Sequence, residues 1–274
     1  MHRLTGWALS TPATLAVVLF LILPVGATIA VTLTDPRGLL APYEAFLNSR
    51  FRRTVLWRTM EIATVTTLAA VIIGFFTAYV VSRAPPRLKS ILIILAVFPL
   101  LTGVVVRSFA WLILLGRNGL VNGTLIWLGI TDTPIQMLYT QWSVILAMVY
   151  LFVPLMILVL VGVLETIPDD VIEAATSLGA PPGAVFRQVI FPLAVPGIIV
   201  GAVLVFTGAF TAYATPALLG GDRQMTMGTL LHQQAMVTLN WTSASTVAAI
   251  MVVVTVVVVL AMTRIARWLN PAAT

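Results

Sequence analysis

Two charged side chains, Glu61 and Arg107, adjoin or interrupt long apolar stretches, where an ionised group needs a partner. A carboxylate and a guanidinium at such depth can pair with each other or hold part of a passing solute. At 1.5 Å per residue, Arg107 lies about 24 Å along its helix from residue 91. Glu61 opens the preceding apolar run from the same side, so depth permits an ion pair between them. Long charged side chains near helix ends also reach the interface, which is the plainer alternative. Trp111, Tyr150, Phe210 and Tyr213 could offer ring faces to a cation, and Asp222 a carboxylate, along a path through the chain. The alternative for each aromatic is an interfacial belt or helix packing. Catalytic and metal chemistry find no such support. There is no cysteine, and the two histidines, His2 and His232, are far apart. No Gly-x-x-x-x-Gly-Lys-Ser/Thr phosphate loop occurs, and the chain has a single lysine, Lys89.

The elements that must position these residues are membrane helices. Of 274 residues, 60% are apolar and 9% charged, with a mean hydropathy of +1.07; soluble domains carry roughly 25% charged residues. A span needs roughly 20 apolar residues, and six runs qualify, at about 13–33, 62–81, 91–115, 143–164, 193–214 and 244–263. The first is too long for a signal-peptide core of roughly 7–15 residues and is expected to be retained. The runs lack the short alternating segments of a membrane barrel. The expected fold is a single all-α transmembrane domain over residues 1–274. The net charge of +6 is spread over the ends of apolar runs, which suits membrane anchoring rather than nucleic acid.

The connections differ in kind. Residues 34–61 are rich in arginine (Arg50, Arg52, Arg53, Arg58), and residues 83–89 form a short basic loop. Positive charge does not set the orientation, because the two sides carry equal numbers of basic residues.

The loop at 165–192 is polar yet helical. Thr166 and Asp169 have capping-box spacing, and acidic residues crowd the first turn, where the helix dipole favours them. Gly179 is placed to end that helix in the left-handed conformation, and Pro181-Pro182 forbids its continuation. A second short helix is expected from Pro182 to Ile190, before Pro192 and Pro196 mark the next span. Small residues at Ala174, Ala175 and Gly179 would let another protein approach the backbone closely. A lipid-surface helix is the alternative, but such helices favour Lys and Arg, and this one starts acidic.

This loop resembles the signature loop of ABC-importer permeases, in which Glu-Ala-Ala, three residues and Gly precede Ile-x-Leu-Pro by nine residues. The sequence matches at Glu173, Ala174, Ala175, Gly179 and Pro192, with Val189 and Phe191 in the Ile and Leu positions. Three further stretches resemble the spermidine/putrescine branch of that family. They are Val106-Arg107-Ser108-Phe109-Ala110-Trp111 through Gly119, Thr131-Asp132-Thr133-Pro134-Ile135, and Thr215-Pro216-Ala217-Leu218-Leu219-Gly220-Gly221, with Asn240-Trp241 also fitting.

The resemblance implies a six-helix type I importer permease in a bacterial plasma (inner) membrane, with both termini and the 165–192 loop cytoplasmic. Glu173, Ala174, Ala175, Gly179, Ala180 and Pro192 would then serve coupling to a separate ABC ATPase dimer. That dimer would hold the ATP and magnesium, so this chain would bind no cofactor and hydrolyse nothing. The further partners implied are a second permease, either an identical copy or, by the polyamine resemblance, a related paralogue, and a periplasmic or extracellular substrate-binding protein. The implied cargo is a polyamine; an amino-acid-like or opine-like solute or an anion is the alternative within the family. An ion-coupled secondary transporter is the competing class; it would need intramembrane carboxylates, which the midplane lacks, or discontinuous helices there.

Overall fold

The computed structural model describes residues 12, 14–33, 36, 38 and 40–269. His2, Arg3, Asp35 and Arg37 lie outside the described residues. All regular structure among the described residues is helical. Six helical stretches are long and apolar enough to cross a membrane: Thr14–Leu33, Arg50–Ser82, Val104–Trp127, Gln141–Leu164, Pro182–Thr211 and Trp241–Ile265, the third holding two helices joined by a turn at 116–119. In chain order the elements are α1 (Thr14–Leu33), α2 (Ala41–Asn48), α3 (Arg50–Ser82), α4 (Pro86–Leu101), α5 (Val104–Leu115) and α6 (Leu120–Trp127). There follow α7 (Gln141–Leu164), α8 (Asp169–Ser177), α9 (Pro182–Thr211), α10 (Ala214–Gly220), α11 (Met227–His232) and α12 (Trp241–Leu269).

The chain packs into two compact units, Met1–Thr54 with Leu230–Val254, and Val55–Thr229 with Thr255–Thr274. In the first, the fully buried Thr32 donates its hydroxyl hydrogen to Ile29 O at 2.6 Å and shares a 2.8 Å hydrogen bond with Tyr43 Oη. Asn240 Oδ1 accepts from the Ser243 N–H at 3.0 Å, which caps the start of α12.

The second unit is built on α7, which packs against α4, α9 and α10, while α5 packs against α10. Its core joins Ala70, Phe75, Ala78 and Val81 of α3 to Met156, Leu160 and Leu164 of α7 and to Ile190, Ala194 and Val205 of α9. Gly74 and Gly201 make the close approach possible. Both face Met156, and a Cβ on Gly74 would lie 2.7 Å from Met156 Cγ.

Three expectations are corrected here. The arginine-rich stretch is not a loop. Arg50, Arg52, Arg53 and Arg58 begin a 33-residue helix, longer than a bilayer requires. Glu61 therefore lies inside α3 rather than at its start. The run at 91–115 is two helices, because Pro99 brings no N–H to the ladder and Thr102 turns extended (ψ 136°) ahead of Gly103. Finally, no separate helix spans Pro182 to Ile190. That segment is the first part of α9, with a π turn at Phe186–Ile190 in which the Phe191 N–H reaches back to Phe186 O. Pro192 has no N–H to offer, and such a turn is a usual accommodation within a helix.

Candidate coupling loop and translocation-path residues

The 165–192 loop folds as one exposed helix held between two long ones. The capping box does not form: Pro168 occupies the N-cap position, and Thr166 Oγ1 donates back to Val163 O at 2.7 Å. The other end follows the sequence closely. Gly179 has φ +81°, its N–H donates to Thr176 O at 2.9 Å, and the Ala180 N–H donates to Ala175 O at 3.1 Å. These are the paired bonds of a Schellman motif.

One face of α8 is seated and the other is free. Ile172, Ala175 and Ala180 pack against the core of the unit, with Ile167 and Val185 buried beside them. Glu173, Ala174 and Gly179 are exposed, as is Pro192 at the second position after the π turn. Leu178 is 89% exposed, the highest value among the large apolar residues.

The basic loop that follows α3 holds this element by charge. Lys89 Nζ lies 2.6 Å from Glu165 Oε1, and Arg83 Nη1 lies 3.5 Å from Asp169 Oδ1. Arg83 Cζ also sits 5.9 Å from the centre of the Tyr79 ring. Tyr79 meets Phe186 of the π turn edge-on at 5.2 Å, and Phe75 meets Phe186 and Phe191 at 5.7 Å each. Sequence reasoning saw the basic loop and the acidic turn separately. Their opposite signs were the signal that could have joined them.

The translocation-path residues are not brought together as one site. Arg107 is 8% exposed, and its Nη2 donates to Thr102 O at 2.8 Å. Its Nε and Nη1 have no hydrogen-bond partner. The pair with Glu61 that depth permits is absent: Glu61 is exposed on α3, and no carboxylate among the described residues lies within ion-pair distance of Arg107. The reason is local. The break after α4 leaves the Thr102 carbonyl free of a helical donor, and the guanidinium folds back onto it. The neighbouring Ser108 bonds Thr215 on α10 at 3.3 Å, so two of the stretches singled out in the sequence do meet. Trp111 and Tyr150 meet edge-on at 5.7 Å with Tyr150 40% exposed, and Tyr213 is 41% exposed at the start of α10. Phe210 is fully buried and stacks on Phe206 at 5.7 Å, so it packs the interior of the unit. Asp222 is exposed in the short turn Gly221–Gln224.

Two polar staples went unrecognised in the sequence. The fully buried Asn122 donates to Gly116 O and Ile135 O at 3.0 Å each and accepts from the Ile135 N–H at 2.9 Å. It thereby fixes the segment that leads from α6 to α7. The buried Thr59 accepts from the Met227 N–H at 2.9 Å.

Comparison with known proteins agrees with this arrangement. The family of binding-protein-dependent transport system inner membrane components matches residues 70–274. The chain is 32% identical, over 79% of its length and 76% of the relative, to the spermidine/putrescine transport system permease protein PotB of Haemophilus influenzae. It is 30% identical to PotB of Escherichia coli K12, over 79% of this chain and 78% of that one. Among solved structures, a chain of a bacterial ABC transporter that imports the acidic polysaccharide alginate superposes with a TM-score of 0.82 at 16% identity, covering 97% of this chain and 96% of that one. The chain belongs to the binding-protein-dependent inner-membrane permeases of ABC importers: it has their type I fold, resembles the spermidine/putrescine members, and is a transport subunit rather than an enzyme.

Proposed function

We propose that this permease couples ATP hydrolysis on a separate ATPase dimer to alternating access, through docking of α8 into a groove on that dimer. The observation that carries the reading is α8 itself. It is seated through Ile172 and Ala175, closed by Gly179, and presents Ala174 and Leu178 outward. Such a helix moves with the spans on either side of it, so closure of the ATPases would rotate α7 and α9 as a rigid body. In this reading the loop and both termini face the cytoplasm. ATP and magnesium reside on the partner, and a second permease, a paralogue by the polyamine resemblance, completes the pathway. A separate binding protein delivers the solute. Similarity to the two PotB proteins supports a polyamine as that solute.

Leu178→Asp tests the docking. The variant is expected to reach the membrane normally but to lose most ATPase co-purification and ATP-driven uptake. Retention of both would contradict the reading. Competition of uptake by putrescine, spermidine, an amino acid and an inorganic anion tests the cargo. Inhibition by the two polyamines alone is expected, and equal inhibition by the anion would overturn the assignment.

A further inference from the structure

We infer that Lys89 and Arg83 form a second transmission route, by which movement of α8 reaches α4 and the break at residues 102–103. This inference rests on the docking of α8 proposed above.

The covalent route is plain, since α7 and α9 continue directly into the loop. The ionic route joins different helices. Lys89, the chain's only lysine, lies in the first turn of α4, where its N–H also donates to Pro85 O at 2.9 Å. Its ammonium grips Glu165, the residue immediately after α7. Arg83 grips Asp169, the first residue of α8, while lying against Tyr79 of α3. Together the two bridges tie the ends of α3 and α4 to the turn that carries α8. An ion pair within one helix would leave the helices free to move apart; these restrain them.

The remainder of α4 suits the role. It has no fully buried residue and meets the core only through partly buried side chains, among them Leu92, Ile93 and Ala96. It lies along α7 through these side chains, and the attachments at its two ends join it to the elements on either side. As a 16-residue rod it is about 24 Å long. One end carries Lys89. The other ends in the extended Thr102, whose carbonyl is clasped by Arg107 Nη2. A displacement of Glu165 is thus delivered to the break at 102–103, next to the Ser108–Thr215 contact between α5 and α10.

The test uses the chain assembled with its ATPase and second permease in proteoliposomes, with solute uptake measured per ATP hydrolysed. Lys89→Glu is expected to lower that ratio by about fivefold. ATPase co-purification is read from the same preparations, so that a loss of docking is told apart from a loss of transmission. Lys89→Glu combined with Glu165→Lys is expected to recover at least about half of the ratio. Lys89→Met, which removes attraction without adding repulsion, serves if the charge-reversed protein does not accumulate, and an intermediate loss is expected. An unchanged ratio in the single variants, or no recovery in the double variant, would overturn the inference. Failure of the docking reading looks different: Leu178→Asp would then leave the ATPase bound, whatever the charge reversals do.

Discussion

Two joints between helices in this permease carry charge, and they are built in opposite ways. Around α8 Lys89 meets Glu165 and Arg83 meets Asp169, all partly solvated. Around the break between α4 and α5 one guanidinium is buried with a single carbonyl acceptor, and two of its nitrogens are unmatched. A solvated pair costs little to form, and it can tie two helix ends without locking them. A buried cation without a carboxylate carries a real desolvation cost. The first place is complete within the chain. The second gains from whatever brings it an acceptor, be that a solute, water or a partner chain.

Substitutions can sharpen that contrast. The largest effect is expected for Gly179→Val. A branched side chain at φ +81° strains the loop by about 1–2 kcal/mol or more. ATPase co-purification from detergent extracts should then fall about tenfold or further. Next, Arg107→Met should lower uptake by about tenfold while thermal unfolding shifts by less than the equivalent of ~1 kcal/mol, because the lost carbonyl contact is offset by removal of an undersatisfied buried cation. Unchanged uptake would make the residue a purely structural clasp. Asn122→Leu removes a donor and an acceptor from a fully buried site, leaving the Ile135 N–H unpaired. A loss of about 1–3 kcal/mol is expected, measured as a lower unfolding temperature. Smallest is Lys89→Met read as stability. Its partner is 40% exposed, so the change should stay below about 1 kcal/mol and shrink further at high salt.

How much was legible follows from which signals are local. Gly179 was readable because glycine is the usual residue at a left-handed helix end, and five of the six spans follow from apolar length. The helix start at Arg50 was hidden by its arginines, which look like loop charges although long side chains can leave a helix for solvent. The break at 102–103 was hidden because Pro99 and Gly103 are ordinary company in membrane helices. The capping box failed through one intervening residue: Pro168 took the cap position, and Thr166 was left to bond Val163. The Glu61–Arg107 pair that depth permits failed because depth along two helices says nothing about which faces meet. The bridges from Lys89 and Arg83 are contacts over some 80 residues, and only the packed chain reveals them.

The central claim is that α8 is the surface gripped by the ATPase. A photo-crosslinking amino acid at Leu178, activated in native membranes and followed by mass spectrometry, tests it most directly. The account predicts a covalent adduct with a phosphate-loop ATPase that the same probe at Phe98, an exposed apolar position on α4, does not give. Adducts from position 178 with lipid alone would contradict it.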